Sequence, residues 1–202
     1  QQHGEEDPEI ADRYLPMLLQ DIDNLRRLID HLLALSRLDQ AEDSSRARVD
    51  LAPLLYELTD DMGSLFQAAG LSLRVDVPPH LSETIADPDA MRTVFRNLLD
   101  NALQYTPADG HVTLSAQSRD GILEISVSDT GQGMSPEHLS HIFERFYRID
   151  KARSRRKGGA GLGLSLVRSI VEDHGGNVIV ESELAAGTSF TVHLPGPERA
   201  PA

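Results

Sequence analysis

The sequence predicts an α/β protein: a two-layer sandwich of a mixed β-sheet with helices on one face, preceded by a long α-helix of the bundle type. Three observations support this fold class. Residues 8–39 repeat apolar side chains at helical spacing. From residue 51 onward, helical and strand-like segments alternate, as expected for a sheet covered by helices. Two pairs of strands are joined by short turns that contain glycine, so part of the sheet is antiparallel.

The long helix is predicted from a regular seam in which apolar residues recur every three or four positions: Leu15, Leu18, Ile22, Leu25, Ile29 and Leu32. Pro8 suits the first turn of a helix, whereas Pro16 should bend the early turns. Such a seam needs a partner helix, which we expect from another chain or from a segment preceding this sequence. The alternative is a helix lying on its own domain, which would have a wider apolar stripe. The polar residues 40–50 indicate a linker.

The next segments alternate between helix and strand. Residues 51–69 have helical spacing and end at Gly70, and the strand Leu71–Val77 stops at two prolines. A short strand at Thr84–Ala86 precedes a helix, Pro88–Tyr105. The strands His111–Ser118 and Ile122–Asp129 form a hairpin through an Arg-Asp-Gly turn.

The last third of the sequence also alternates between helix and strand. Residues 136–147 have helical spacing, and Gly161–His174 is a helix closed by two glycines. The strands Asn177–Glu183 and Thr188–Leu194 form a second hairpin through a turn that contains Gly187. We expect three parts: a bundle helix in residues 1–45, a compact domain in residues 46–196, and a frayed tail in residues 197–202.

Composition excludes several classes of protein. The 202 residues include no cysteine, which rules out disulfides and cysteine-based metal sites. The formal net charge of −13 argues against a nucleic-acid partner. No apolar run is long enough to span a bilayer, and the first nine residues do not resemble a secretory signal. We therefore expect a cytoplasmic segment without membrane contact.

The first candidate motif is Asn97-Leu-Leu-Asp-Asn101. Two carboxamides four residues apart lie on one face of a helix, and Gln104 follows one turn later. Amide oxygens are hard ligands that suit Mg²⁺, which is commonly shared with substrate phosphates. The alternative is a solvated helix face. A cleft edge fits better because the buried side is defined by Val94, Leu98, Leu99 and Ala102.

The second motif is Asp129-Thr-Gly-Gln-Gly133, at the end of an alternating strand. A carboxylate there can accept a hydrogen bond from the exocyclic amine of adenine. Gly131 and Gly133 let the backbone pass close to a flat ring. The alternative is a simple Asp-Thr-Gly turn.

The third motif is the glycine cluster of residues 158–164, G-G-A-G-L-G-L, at the start of a helix. Free backbone N–H groups there favour a phosphate. The cluster is neither the dinucleotide fingerprint nor a P-loop. Residues 148–157 contain six cations and one acid, which either attract a triphosphate or form a solvated loop. Together, the three motifs describe a purine nucleotide site with magnesium.

In order and spacing, these motifs resemble the N, G1, F and G2 boxes of the sensor histidine kinase catalytic domain. That domain belongs to an ATPase superfamily shared with gyrase, heat-shock chaperones and mismatch-repair ATPases. The F box corresponds to residues 143–148, F-E-R-F-Y-R, and a later glycine motif to residues 187–190. The resemblance covers about residues 50–196, and the 8–39 helix is similar to the second helix of the dimerisation hairpin, whose first helix carries the phosphoacceptor.

The resemblance implies ATP and Mg²⁺ as cofactors. Asn97 and Asn101 would hold Mg²⁺ and the phosphates, Asp129 would bind the adenine amino group, and Tyr105 would line the base pocket. Arg145 would act catalytically by neutralising charge on the transferred γ-phosphoryl group. Residues 147–160 would form the ATP lid. The other implied ATP-binding residues are Gln104, Gly131, Gly133, Phe146, Lys151, Gly159, Gly161, Leu162, Gly163, Leu164 and Thr188.

The implied function is transfer of the ATP γ-phosphoryl group to a histidine on the dimerisation domain, with signalling to a cognate response regulator and a homodimeric full-length protein. Two departures stand out. Gln104 replaces a residue that is often basic, and the acceptor string of histidine, acid or amide, then Leu-Arg-Thr-Pro is missing. We therefore expect a fragment that begins after the phosphorylated helix and cannot autophosphorylate alone.

The alternatives are a regulatory nucleotide-binding or ATPase module without phosphotransfer, a serine kinase of the anti-sigma type, and a purely structural coiled-coil protein. The long bundle helix disfavours the serine kinase. Hydrolysis needs an acidic base to activate water, and the corresponding position holds Asn97.

Overall fold

The computed structural model describes residues 22, 46–149 and 161–197. Of the predicted helix 8–39, only Ile22 is described, in helical conformation, and the rest lies outside the described residues. The elements in chain order are β1 (Ala47–Val49), α1 (Ala52–Ala68), β2 (Ser72–Asp76), β3 (Thr84–Ala86), α2 (Pro88–Tyr105), β4 (His111–Arg119), β5 (Ile122–Asp129), α3 (Pro136–Leu139), α4 (Gly163–Asp173), β6 (Asn177–Glu183) and β7 (Gly187–Pro195).

The main sheet has five strands in the order β2-β4-β5-β7-β6. Strands β2 and β4 are parallel, and the remaining neighbours are antiparallel. Alternate residues of β5, Leu123, Ile125 and Val127, are buried on one face. The opposite face carries hydroxyl pairs such as Ser126 and Thr191, whose oxygens are 2.9 Å apart. The predicted mixed two-layer sandwich is confirmed.

Helices α1, α2 and α4 cover the apolar face of the sheet. Helix α1 places Leu55, Leu58, Met62 and Phe66 on one buried stripe, at the spacing of an amphipathic helix. The Asp50 carboxylate accepts a hydrogen bond of 2.9 Å from the N–H of Ala52 and so satisfies a free donor at the start of α1. None of the helices in the described part of the chain is long and apolar enough to cross a bilayer.

Helix α2 is fixed at its N-terminus by Asp87, whose carboxylate accepts hydrogen bonds from the N–H groups of Asp89 and Ala90. Asp87 also donates its own N–H to Nε2 of the buried His174, at 3.2 Å. Nδ1 of His174 therefore carries the proton and donates to the carbonyl of Ile170, at 2.7 Å. The histidine thus joins the end of α4 to the start of α2.

Two predicted boundaries are wrong. The linker 40–50 includes a strand, Ala47–Val49, which pairs antiparallel with Thr84–Ala86. A three-residue edge strand has no periodicity of its own, and it forms because a partner strand lies beside it. The helix predicted for 136–147 ends at Leu139. Beyond it most backbone hydrogen bonds have three-residue spacing, and Phe146 adopts a left-handed conformation with φ of 64°, which no right-handed α-helix contains.

Gly63 generates a prediction about stability. It lies inside α1, and a Cβ added there would meet nothing within 4 Å. We expect Gly63→Ala to raise the free energy of unfolding by about 0.5–1 kcal/mol, because alanine restricts the unfolded chain and adds no clash. Urea denaturation measures the change. Gly70→Ala is the control and should destabilise, since Gly70 has a φ of 70°. A less stable Gly63→Ala protein would contradict this account.

Candidate nucleotide site

One face of α2 carries the predicted metal ligands. Asn97, Asn101 and Tyr105 follow at four-residue intervals and so lie along the same face. Both asparagines are half-buried, at the boundary of the apolar stripe that includes Leu98. Nδ2 of Asn97 donates to the carbonyl of Thr93 at 2.8 Å, which orients its carboxamide. The amide pair therefore lies at the edge of the helix packing, as expected for a cleft.

Asp129 ends β5 beside this helix and is half-buried. Its Oδ1 accepts a hydrogen bond of 2.7 Å from the N–H of Gly131. Burial raises the pKa of the Asp129 carboxyl above 3.8, and the backbone N–H groups of Gly131 and Thr188 partly oppose that rise. The carboxylate is thus held in a fixed direction by the loop that follows it.

That loop passes through a space too narrow for side chains. A Cβ added to Gly131 would lie 2.6 Å from the carbonyl oxygen of Tyr105, at the end of α2. A Cβ on Gly133, which has a φ of 63°, would lie 1.8 Å from the carbonyl oxygen of Glu183. The carbonyl of Tyr105 also accepts a long hydrogen bond of 3.4 Å from the N–H of Gln132. The loop therefore connects the end of α2 to the β6–β7 turn through backbone contacts.

The segment after α3 contacts the residues that precede α4. The N–H of Phe146 donates to the carbonyl of Gly161 at 2.8 Å, just before α4 begins. Phe146 itself is 67% exposed. Its left-handed backbone and the φ of 70° at Gly161 direct the chain past the start of α4. This hydrogen bond places the F-box segment beside the helix that the glycine cluster opens.

Arg148 is a residue that motif spacing alone did not single out. Burial raises the pKa of Tyr105, at the end of α2, and the charge of the Arg148 guanidinium opposes that rise. Its Nη2 is buried and has no hydrogen-bond partner in the part of the chain that the structure describes. A buried donor nitrogen without an acceptor is costly, and an anionic ligand could supply that acceptor. In the sequence, Arg148 is both the last residue of the F box and the first of the basic run 148–157, and neither pattern indicated its role.

The remaining predicted residues divide into three groups. Gln104 lies half-buried on α2, and Thr188 lies in β7, with its hydroxyl 2.9 Å from that of Ser182. At the start of α4, Leu162 is buried and Leu164 packs on the core, so the backbone of Gly161–Leu164 is the part suited to a ligand. Arg145 is exposed, and Lys151 and Gly159 lie outside the described residues.

The first phenylalanine of the F box belongs to the core. Phe143 is buried and meets Phe190 edge to face, with ring centroids 6.3 Å apart. The guanidinium of Arg168 lies 4.4 Å from the centroid of the Phe143 ring. Because Phe190 belongs to the later glycine motif, residues 187–190, this contact joins that motif to the F box within the core.

The chemistry of these groups fits a magnesium-bound nucleotide. Helix α4 has no side-chain cap at Leu162, which leaves its first N–H groups available to an anion. Arg148 supplies a guanidinium whose Nη2 has no hydrogen-bond partner among the described residues. No group of three His, Asp or Glu side chains suited to a metal occurs within the described ranges. A metal here would therefore rest on amide oxygens and on phosphate.

Comparison with known proteins identifies the family. The profile described as histidine kinase-, DNA gyrase B- and HSP90-like ATPase matches residues 86–198, from β3 to beyond β7. The chain belongs to this ATPase family. The matched region includes α2, the Asp129 loop and α4. The sequence-based assignment to this superfamily is therefore confirmed.

Within the family, the chain is similar to sensor histidine kinases. It is 35% identical over 193 residues to the sensor protein SrrB of Staphylococcus aureus, covering 95% of this chain and 33% of that protein. It is 37% identical over 176 residues to the histidine-protein kinase BaeS of Escherichia coli, covering 87% of this chain and 38% of that protein. The chain spans about a third of the length of these curated relatives.

The crystal structure of full-length ShkA in complex with AMPPNP has a similar fold. Its TM-score is 0.74 at 33% sequence identity, over 91% of this chain and 38% of that one. The fold is therefore that of a sensor histidine kinase catalytic domain.

Gly131 provides a test of the site's construction. Gly131→Ala should cost about 1–3 kcal/mol of unfolding free energy, because its methyl group would overlap the carbonyl of Tyr105, which cannot rotate away. Urea denaturation measures the loss, and Gly63→Ala is a matched control with open space around it. Unchanged stability of Gly131→Ala would mean that the loop does not pack against α2.

Proposed function

We propose that this chain binds Mg-ATP and is the catalytic module of a two-component sensor histidine kinase, which transfers the γ-phosphoryl group to a histidine on a dimerisation domain. The observation that carries the proposal is the placement of Arg148. Its Nη2 is buried without a hydrogen-bond partner among the described residues, and its charge acts on Tyr105, whose carbonyl packs against the glycine loop at Gly131.

In this proposal, different residues contact the base, the metal ion and the phosphates of the nucleotide. Asp129 accepts a hydrogen bond from the adenine amino group, and Tyr105 lines the base pocket. Asn97 and Asn101 hold Mg²⁺ and the phosphates. The other proposed ATP-binding residues are Gln104, Gly131, Gly133, Phe146, Lys151, Gly159, Gly161, Leu162, Gly163, Leu164 and Thr188.

ATP supplies the phosphoryl group, and this chain supplies position and charge. The first N–H groups of α4 and the guanidinium of Arg148 offset negative charge on the phosphates. Arg145, which is exposed, is available to neutralise charge on the transferred group. The nucleophile is an imidazole on the dimerisation domain, outside this pocket.

The same proposal extends to the oligomeric state, location and partner of the full-length protein. The full-length protein is a homodimer whose cytoplasmic part includes this module, and a cognate response regulator receives the phosphoryl group from the histidine. This module contacts neither nucleic acid nor membrane. A regulatory ATPase is less well supported, because the position suited to a water-activating acid holds Asn97.

Ligand binding provides the first test of this function. Mg-ATP should raise the melting temperature of the chain, because it binds the native state and not the unfolded chain. With γ-labelled ATP, acid-labile label should pass to an added dimerisation domain that carries an acceptor histidine, while hydrolysis by the chain alone stays slow. Melting that does not respond to Mg-ATP would refute nucleotide binding. Rapid hydrolysis without transfer would favour the ATPase alternative.

Asp129 provides the second test. Asp129→Asn should weaken ATP binding by about 1–3 kcal/mol, roughly 5- to 150-fold, because an amide cannot replace both acceptor oxygens of the carboxylate. Isothermal titration calorimetry measures the change. Asp120→Asn is the matched control, since it makes the same chemical change in the exposed turn of the β4–β5 hairpin.

The pH dependence of ATP binding follows from Asp129. Because burial raises the pKa of Asp129, its acceptor form is lost at a higher pH than for an ordinary aspartate. The carboxylate-dependent fall in ATP affinity on acidification should therefore begin at a higher pH than an ordinary aspartate would give, and Asp129→Asn should remove that part of the pH dependence. ATP affinity that is unchanged in Asp129→Asn would exclude Asp129 from the site.

A further inference from the structure

Two histidines surround the side chain of Tyr147, outside the residues assigned so far. Nδ1 of His138, on α3, lies 2.8 Å from the hydroxyl of Tyr147. The ring of His141 stacks on the Tyr147 ring with centroids 5.5 Å apart and an interplanar angle of 29°. His141 also bonds Glu144, with Nδ1 2.7 Å from Oε1. The tyrosine is thus held by one hydrogen bond and by ring contacts with both histidines.

Tyr147 connects these histidines to residues of the proposed nucleotide site. Its ring packs against the hydrophobic core, and its carbonyl lies 2.9 Å from where a Cβ of Gly161 would be. The next residue is Arg148, whose Nη2 is buried and whose charge acts on Tyr105. Fixing Tyr147 therefore limits the positions that the Arg148 backbone can take.

We propose that His138 is a positioning residue: it holds Tyr147, and through Tyr147 it places the guanidinium of Arg148 against the nucleotide phosphates. The inference rests on the proposed nucleotide-binding function. His138 is suited to this task because its side chain is only 24% exposed, whereas that of His141 is 50% exposed. Nε2 of His138 lies 3.8 Å from a carboxylate oxygen of Glu137, which is beyond hydrogen-bond distance.

The hydrogen bond does not depend on one protonation state. A tyrosine hydroxyl can donate or accept, so it can pair with neutral imidazole or with imidazolium. An amide side chain offers the same two possibilities. His138→Gln should therefore retain much of the positioning, whereas His138→Leu and Tyr147→Phe should lose it.

The experiment measures the affinity of the purified chain for Mg-ATP and for adenosine by calorimetry. His138→Leu and Tyr147→Phe should each weaken Mg-ATP binding about 3- to 10-fold and leave adenosine binding unchanged, because only the phosphates contact Arg148. The double variant should be no weaker than either single variant. His141→Gln is the matched control, since it removes a histidine from the same tyrosine without touching the hydroxyl bond.

A double-mutant cycle with Arg148→Ala separates positioning from general loss of structure. In the Arg148→Ala background, His138→Leu should have no further effect on Mg-ATP affinity. A remaining effect there, equal loss of adenosine affinity, or full affinity in both His138→Leu and Tyr147→Phe would overturn the inference. If His138→Leu does not fold, Tyr147→Phe decides, because it removes one oxygen and retains the ring. Failure of the unmodified chain to bind Mg-ATP would instead refute the proposed function.

Discussion

The site depends on a backbone contact that leaves no room for a side chain. The loop after β5 passes between the carbonyl of Tyr105 on one side and the β6–β7 turn on the other. Glycine at 131 and 133 is what permits this approach, since a Cβ at either position would overlap a carbonyl oxygen. The contact fixes Asp129, which precedes the loop, relative to the asparagine face of α2. A carboxylate at the end of a strand is thereby held beside the end of the helix that carries the amides.

The rest of the fold holds the two helices that border this contact. His174 joins the end of α4 to the start of α2, so the helices are connected at the side opposite the glycine cluster. Arg46, at the entry to the domain, pairs with Asp173, the last residue of α4. Beneath the site, Phe143 and Phe190 pack edge to face. These contacts restrain α4 at its end, while its first turn is left uncapped and able to receive an anion.

Most of the fold could be predicted because it follows local patterns. The alternation in β5 and the helical spacing of α2 are strong, and both elements begin and end where the sequence indicated. The short elements were predicted wrongly because they depend on contacts with residues that are distant in the sequence. Strand β1 exists only through its pairing with Thr84–Ala86, and α3 stops early because Phe146 turns left-handed to bond Gly161. Neither partner is near in the sequence, so no local periodicity could reveal them.

The sequence by itself determined the chemistry of the site: amides four residues apart on a helix, an acid at a strand end, and glycines before a helix start. Each follows from residue type and spacing along the chain. Only the tertiary structure decided which cation lies among them. Both Arg145 and Arg148 belong to the F box, but Arg145 is exposed, whereas Arg148 is half-buried, with Nη2 enclosed and its charge acting on Tyr105. Burial depends on how α2, the glycine loop and the turns after α3 pack together, and that packing brings together residues distant in the sequence.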